Sequence, residues 1–422
     1  MILEIRLENF YSIKDEISLN FRAEKINTEG AKALPENVID YNEQKILKSI
    51  GLFGANASGK SNILKAINKC CSIILHSHLN NEGDVFSFTP FKFKNNPSKP
   101  SSFYINFIYE NIEYEYSFSL NQTEILKENL YYYPNGRKAK IYTRDETKGN
   151  NKQKIYNFSD GLIPRPFDVA INTSKKTLYL SRASQMDREL CKKLYRFFKH
   201  DLLIGFAPLD YFQSGLKDVK KTFADNKNVI LHALSICDSD ISDIKIIQEK
   251  QKFNLPDAYS AATYEQNIDI HRFETFHKAA PEISFDLLGE ESAGTTQLFN
   301  MLFVLLDAIK NGKTFILDEF DLSLHTKLAD FVIDLFHAGS TAQFLFTSHN
   351  TNLINVKRFR RDQIFFTNKK EDGSTELYSL YDHKDFRENM DAEKGYLQGR
   401  FDAIPIIDNS VTNIKKLLEE QN

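Results

Sequence analysis

The spacing of apolar residues changes period several times along the 422 residues, and each change marks an element. Leu47 to Phe53 is a short apolar run that predicts a buried strand, and Ile63, Leu64, Ala66 and Ile67 follow it at helical spacing. Phe103, Ile105, Phe107 and Tyr109 alternate with other residues; so do Tyr114, Tyr116, Phe118 and Leu120 after a polar Glu110-Asn111 turn. Period two on both sides of a turn predicts a β-hairpin. Residues 134–160 are polar and lysine-rich, which predicts an exposed loop with short strands. From about 186 to 250 the pattern reads as helical, with Leu190, Leu194 and Phe197 at i, i+4 and i+7. A helix is expected up to Leu306, and strands over Lys313–Leu317 and Ala342–Thr347. No heptad is sustained, which excludes a long coiled coil. No apolar run approaches the ~18 residues of a membrane span.

Composition narrows the class. The chain is 41% hydrophobic and 26% charged, against wholesale disorder and collagen-like repeats. Its length suggests two or three domains. Glu4 interrupts the apolar start, so a secretory signal is not expected. Cys70, Cys71, Cys191 and Cys237 form neither a disulfide framework nor a zinc-ligand spacing, which fits a reducing cytoplasm. The net charge is −3, so any nucleic-acid contact must come from a local patch. Lys192-Lys193 and the stretch from Lys217 to Lys221 leave that contact open, although a solvated helix face explains them better.

The first chemistry is Gly54-Ala55-Asn56-Ala57-Ser58-Gly59-Lys60-Ser61, followed by Asn62, between a predicted strand and a predicted helix. This is G-x-x-x-x-G-K-[ST] in the context the motif requires. The glycines let backbone N–H groups curl around phosphate oxygens, and the helix adds its positive end. Lys60 would hold the β- and γ-phosphates, and the Ser61 hydroxyl would ligate Mg²⁺.

Three further stations follow. Asp318-Glu319 closes an apolar strand; Asp318 suits the Mg²⁺ shell and Glu319 the attacking water, or else the pair is a solvated strand end. Glu291-Ser292-Ala293-Gly294-Thr295 opens a helix, where Ser292 is either an N-cap or, with Gly294 and Thr295, an extra anion-binding end. Thr347-Ser348-His349-Asn350 ends another apolar strand. By itself His349 would be structural.

Taken in their order along the chain, with Glu291–Thr295 before Asp318-Glu319, the four stations resemble an ABC-type ATPase of the SMC/RecF-like branch, within the AAA-family ATPases. More narrowly the chain is similar to the stand-alone ATPases of bacterial anti-phage defence of the RloA/AbiL type, with PARIS- and Septu-type ATPases as neighbours. The opening Ile5 to Phe10 with Ser12-Ile13-Lys14, Ser323-Leu324-His325, Arg361-Asp362-Gln363-Ile364 and the tail Tyr396 to Pro405 carry the likeness too. It covers about 1–135 and 280–407. Ala293 and Thr295 depart from the transporter signature, and no Q-loop glutamine can be placed, Gln122 being a weak candidate.

The resemblance implies an α/β P-loop NTPase of ABC-ATPase type, a mixed sheet with an antiparallel β-subdomain and a helical insert. Residues 1–135 would be the N-terminal part of the core, 136–280 an insert (polar loop, then mainly helical lobe) and 281–422 the C-terminal part. The implied activity is hydrolysis of ATP, with Mg²⁺, to ADP and phosphate. The loop residues 54–62 and a second copy's Ser292, Gly294 and Thr295 would hold ATP, and His349 would sense the γ-phosphate. A homodimer or higher homo-oligomer is implied, with no membrane partner. Its ATP state would control a separate effector, a Toprim- or HNH-type nuclease or a toxin, in anti-phage defence. The alternative is a RecF/SMC-like repair or recombination ATPase that binds DNA directly; a transporter ATPase is a distant third.

Overall fold

The computed structural model describes residues 1–93, 96–205, 219–236, 240–256, 263–339, 341–387 and 389–404. Lys217, Cys237 and Pro405, named above, lie outside them. The chain divides into two compact units, one of residues 1–202 with 345–422, the other of residues 203–344.

The first unit holds a seven-stranded antiparallel sheet. Its strands run in the order Tyr156–Phe158, Ala139–Asp145, Ile125–Tyr132, Ile112–Leu120, Ser101–Tyr109, Ile2–Glu8 and Ile17–Asn20. The expected hairpin is its centre, with Ile105 opposite Tyr116 and Phe103 opposite Phe118. Alternation puts Phe103, Ile105, Phe107, Tyr114, Tyr116, Phe118 and Leu120 in the core. There the Phe107 ring stacks on Phe197, 4.3 Å between centroids. The polar stretch after 134 does carry short strands, but it is more sheet than loop: Tyr142 and Arg144 of Ala139–Asp145 are fully buried.

Beside this sheet the first unit carries the P-loop strand Ser49–Gly54, buried along its whole length. It runs parallel to Ile364–Lys369, which pairs antiparallel with Thr375–Ser379. The sheet is therefore mixed, as expected. The tail folds back here: Phe366 stacks with Tyr396 and with Phe401, at 5.7 and 5.0 Å. Cys70, Cys71 and Cys191 are buried free thiols, and burial pushes that of Cys71 up to about 12.

The second unit contains the helices Val219–Ile236, Ala293–Asn311 and Thr326–Ala338 and the strand Thr314–Leu317. Most of its described phenylalanines gather in two clusters. Phe344 stacks against Phe315 and Phe336, and Phe223, Phe273, Phe299 and Phe303 pack together. The helical pattern expected to reach about residue 250 stops sooner. Ile241–Pro256 is a strand, paired antiparallel with Thr263–His277, which pairs in turn with Ala280–Asp286. The physical reason is that lysine, glutamate and glutamine favour helix locally, whereas Ile241 and Ile244 are buried by cross-strand packing. Among the described residues no helix is long and apolar enough to cross a membrane.

Candidate functional site

The strand Ser49–Gly54 delivers the chain into a loop that only special backbone geometry allows. Gly54 has φ +151°, Ala57 +62° and Gly59 +114°. Side chains are excluded at both glycines: a Cβ on Gly54 would run into Thr367, and one on Gly59 into Thr375. The 17-residue helix Lys60–His76 starts at once, with no acidic residue in its first turn and no side-chain cap at Gly59. Such a helix start favours an anion. Asn56 and Ala57 are exposed, Ala55, Ser61 and Asn62 half-buried, and Ser58, Gly59 and Lys60 buried. The Lys60 ammonium donates to the carbonyls of Gly54 (2.7 Å) and Ala55 (3.1 Å), so it lies folded over the loop.

Residues far away in sequence hold the loop from behind, and none of them was among the predicted site residues. Ser58 Oγ and Thr367 Oγ1 are 2.6 Å apart, and Thr367 also donates to the Phe53 carbonyl. Thr375 Oγ1 donates to the Ser58 carbonyl at 2.9 Å and lies 2.7 Å from Ser12 Oγ, which accepts from Asn62 Nδ2 at 2.8 Å. Two positions beyond Ser12, Lys14 pairs with Asp372 at 2.7 Å. That hydrogen bond holds the Asp372 carboxyl well below the usual range and raises Lys14. The likeness of the opening turn pointed at Ser12 and Lys14 without a role; nothing local pointed at Thr367 or Thr375.

His349 belongs to the same unit and is exposed. Its neighbour Ser348 donates its backbone N–H to Leu52, on the strand that feeds the P-loop, at 3.2 Å. The turn beyond is fixed by Thr351, which donates to Glu393 at 2.7 Å.

The other stations meet in the second unit. Thr314–Leu317 is wholly buried and presents Asp318 (8% exposed) and the half-buried Glu319, whose φ is +48°. Asp318 is fixed at its backbone by donating to the Gly205 carbonyl at 3.1 Å. Ser292 is the N-cap of the 19-residue helix Ala293–Asn311: its Oγ accepts from the Thr295 N–H at 3.1 Å and lies 2.8 Å from Thr295 Oγ1. The structure therefore realises the capping role, and the same serine is exposed. This helix start abuts the loop after the acids. Gln297 donates to the Phe320 carbonyl at 2.9 Å, and a Cβ on Gly294 would sit 3.0 Å from the Ser323 carbonyl. Just before it, Glu291 accepts from His277 at 2.9 Å and from Thr275, a tie that sequence reasoning missed.

The predicted residues thus form two clusters, one in each unit: loop residues 54–62 with His349, and Asp318-Glu319 with Ser292, Gly294 and Thr295. Gln122, the weak Q-loop candidate, sits in the turn after Leu120, donating its amide to the Phe88 carbonyl. The hydroxyl of Ser61 and the carboxylate of Asp318 are hard oxygen donors, which fit Mg²⁺ better than a softer metal.

A family model described as "AAA domain, putative AbiEii toxin, Type IV TA system" matches residues 49–355, a span containing every predicted site residue. No curated protein matches the chain. Among solved structures, an Smc head bound to the C-winged helix domain of ScpA has a TM-score of 0.40 at 15% identity, covering 90% of this chain and 97% of that one. The SMC head domain from Thermotoga maritima gives 0.39 at 12% identity, covering 90% and 98%. The Pyrococcus furiosus Smc head, with an extended coiled coil and bound to the C-terminal domain of ScpA, gives 0.37 at 14%, covering 90% and 96%.

Proposed function

We propose, from the premise that the chain belongs to the AAA-domain family described as putative AbiEii toxin of a type IV toxin–antitoxin system, that it binds and hydrolyses ATP. The observation that carries this reading is the loop itself. A buried strand, left-handed glycines and an uncapped helix start free of acidic residues make a cradle suited to polyphosphate. Lys60, now held by two carbonyls, would exchange them for phosphate oxygens without leaving the loop. Ser61 and Asp318 are the residues proposed to hold Mg²⁺, which would neutralise phosphate charge. Glu319 would orient and deprotonate the attacking water, and His349 would contact the γ-phosphate.

The second copy expected from the resemblance has support of its own. Ser292 is exposed at its helix start, and Leu288 and Leu322, on the adjoining segments, are 61% and 59% exposed. Exposed leucines beside a polar helix start suit an interface that closes over nucleotide. The finer reading is that this closure controls a separate effector, a nuclease or toxin, in cytoplasmic anti-phage defence. The toxin–antitoxin description of the family supports a defence role, as does the likeness of the tail to the RloA type.

The test is Glu319→Gln. ATP should still bind, while turnover falls roughly 10²- to 10⁴-fold with loss of the base. Unchanged steady-state turnover would remove Glu319 from its role.

A further inference from the structure

The donors and acceptors behind the P-loop run in one direction. An amide NH₂ only donates and a carbonyl only accepts, so the two hydroxyls between them have no choice of orientation. Asn62 Nδ2 donates to Ser12 Oγ, Ser12 donates to Thr375 Oγ1, and Thr375 donates to the Ser58 carbonyl, over 2.8, 2.7 and 2.9 Å. The last step matters for phosphate. The Ser58 carbonyl and the Gly59 N–H share one planar trans peptide and point opposite ways. A hydroxyl that fixes the carbonyl on the Thr375 side therefore turns the Gly59 N–H to the other side. Gly59 packs directly against Thr375, so closely that no Cβ would fit between them.

We infer that Thr375 is a positioning residue of the nucleotide site: through the Ser58 carbonyl it aims the Gly59 N–H at phosphate, and Ser12 orients the Thr375 hydroxyl for that task. This rests on the ATP-binding reading above. The aim is the same in the bound and the reacting state, so its loss should weaken binding more than it slows chemistry. Thr375 itself touches no nucleotide. The Lys14–Asp372 ion pair holds Ser12's turn against the turn that precedes Thr375, so the relay joins two segments already clamped together.

The experiment is a fluorescent-nucleotide titration with steady-state ATPase assays on the full chain. Thr375→Val keeps the shape and removes the hydroxyl. It should bind MgATP roughly 3- to 10-fold more weakly than wild type, the size expected for one neutral hydrogen bond. The change should fall on KM more than on kcat, and Thr375→Ser should restore affinity. Equal affinity in wild type and Thr375→Val, or a Thr375→Ser protein as weak as the valine variant, overturns the inference while leaving ATP binding intact. A wild-type protein that binds no adenine nucleotide removes the reading beneath it, and the inference with it. If Thr375→Val does not fold, Ser12→Ala breaks the relay one link earlier and should weaken binding in the same direction by less. Unaltered affinity there overturns the relay.

Discussion

Glu128 is the most heavily hydrogen-bonded carboxylate of the antiparallel sheet, and its replacement by glutamine has a cost that can be worked from its partners. It is completely buried. Oε1 accepts from the Tyr116 hydroxyl (2.9 Å), the Tyr142 hydroxyl (2.7 Å) and the Leu180 N–H (3.0 Å). Oε2 accepts from the Tyr179 N–H (2.6 Å) and Arg144 (3.4 Å). Burial beside this carboxylate pushes both tyrosine hydroxyls far above their ordinary titration range, so they stay protonated donors. In Glu128→Gln the new NH₂ cannot face Oε2's partners, which only donate. It must take the Oε1 side, where the two tyrosines can rotate to accept but the Leu180 N–H cannot. One buried N–H is then stranded, at about 1–3 kcal/mol. The bonds from Tyr179 and Arg144 lose their charge assistance, about 1 kcal/mol each. Arg144 keeps Glu146 at 2.8 Å and the carbonyls of Thr177 and Ser174, so its charge is not orphaned. The sum is about 3–5 kcal/mol. Urea denaturation gives the total, and hydrogen exchange at the Leu180 amide gives the local part. A loss below about 1 kcal/mol, or undiminished protection at Leu180, would show that the donors rearrange in a way this reasoning excludes.

Two other variants address the site. Lys60→Ala removes a charge-assisted phosphate contact and should weaken MgATP binding by roughly 10- to 100-fold by calorimetry; wild-type affinity would exclude the lysine from phosphate. Gly294→Asp places a carboxylate at the exposed helix start and should block ATP-dependent dimerisation, read by light scattering, with circular dichroism checking that the Ser323 carbonyl has made room. Mixed with Lys60→Ala protomers it should regain part of the activity, because one composite site then carries both defects and the other neither. Heterodimers no more active than either parent would reject the shared site.

What could be read from sequence was what is local. The loop 54–62 announces itself because its geometry needs two glycines, a lysine and a hydroxyl within eight positions. The hairpin of 101–120 was legible because one face is buried almost throughout and the other mostly half-buried, so period two survives in the letters. Ser292 illustrates a limit: an N-cap and an anion-binding serine call for the same residue, and the structure shows the cap without deciding against the second use. The strand Ile241–Pro256 was misread because its charged residues carry helix propensity while its partner lies several residues further on. Thr367 and Thr375 were invisible for a different reason. An isolated threonine in a β-rich stretch is ordinary, and its importance arises only from what folding brings beside it.

That dependence has a consequence for biosynthesis. The Thr375–Ser58 bond spans 317 positions and the Thr375–Ser12 bond 363. A ribosome adding 5–20 residues per second makes the loop's own residues early, then needs roughly 15–60 s more before Thr375 exists. Throughout that interval the glycine-rich loop is present without the hydroxyls that set its shape. Full nucleotide affinity would thus arise only once Thr375 has been made, and a product truncated before it would carry the motif without the hydroxyl that positions it.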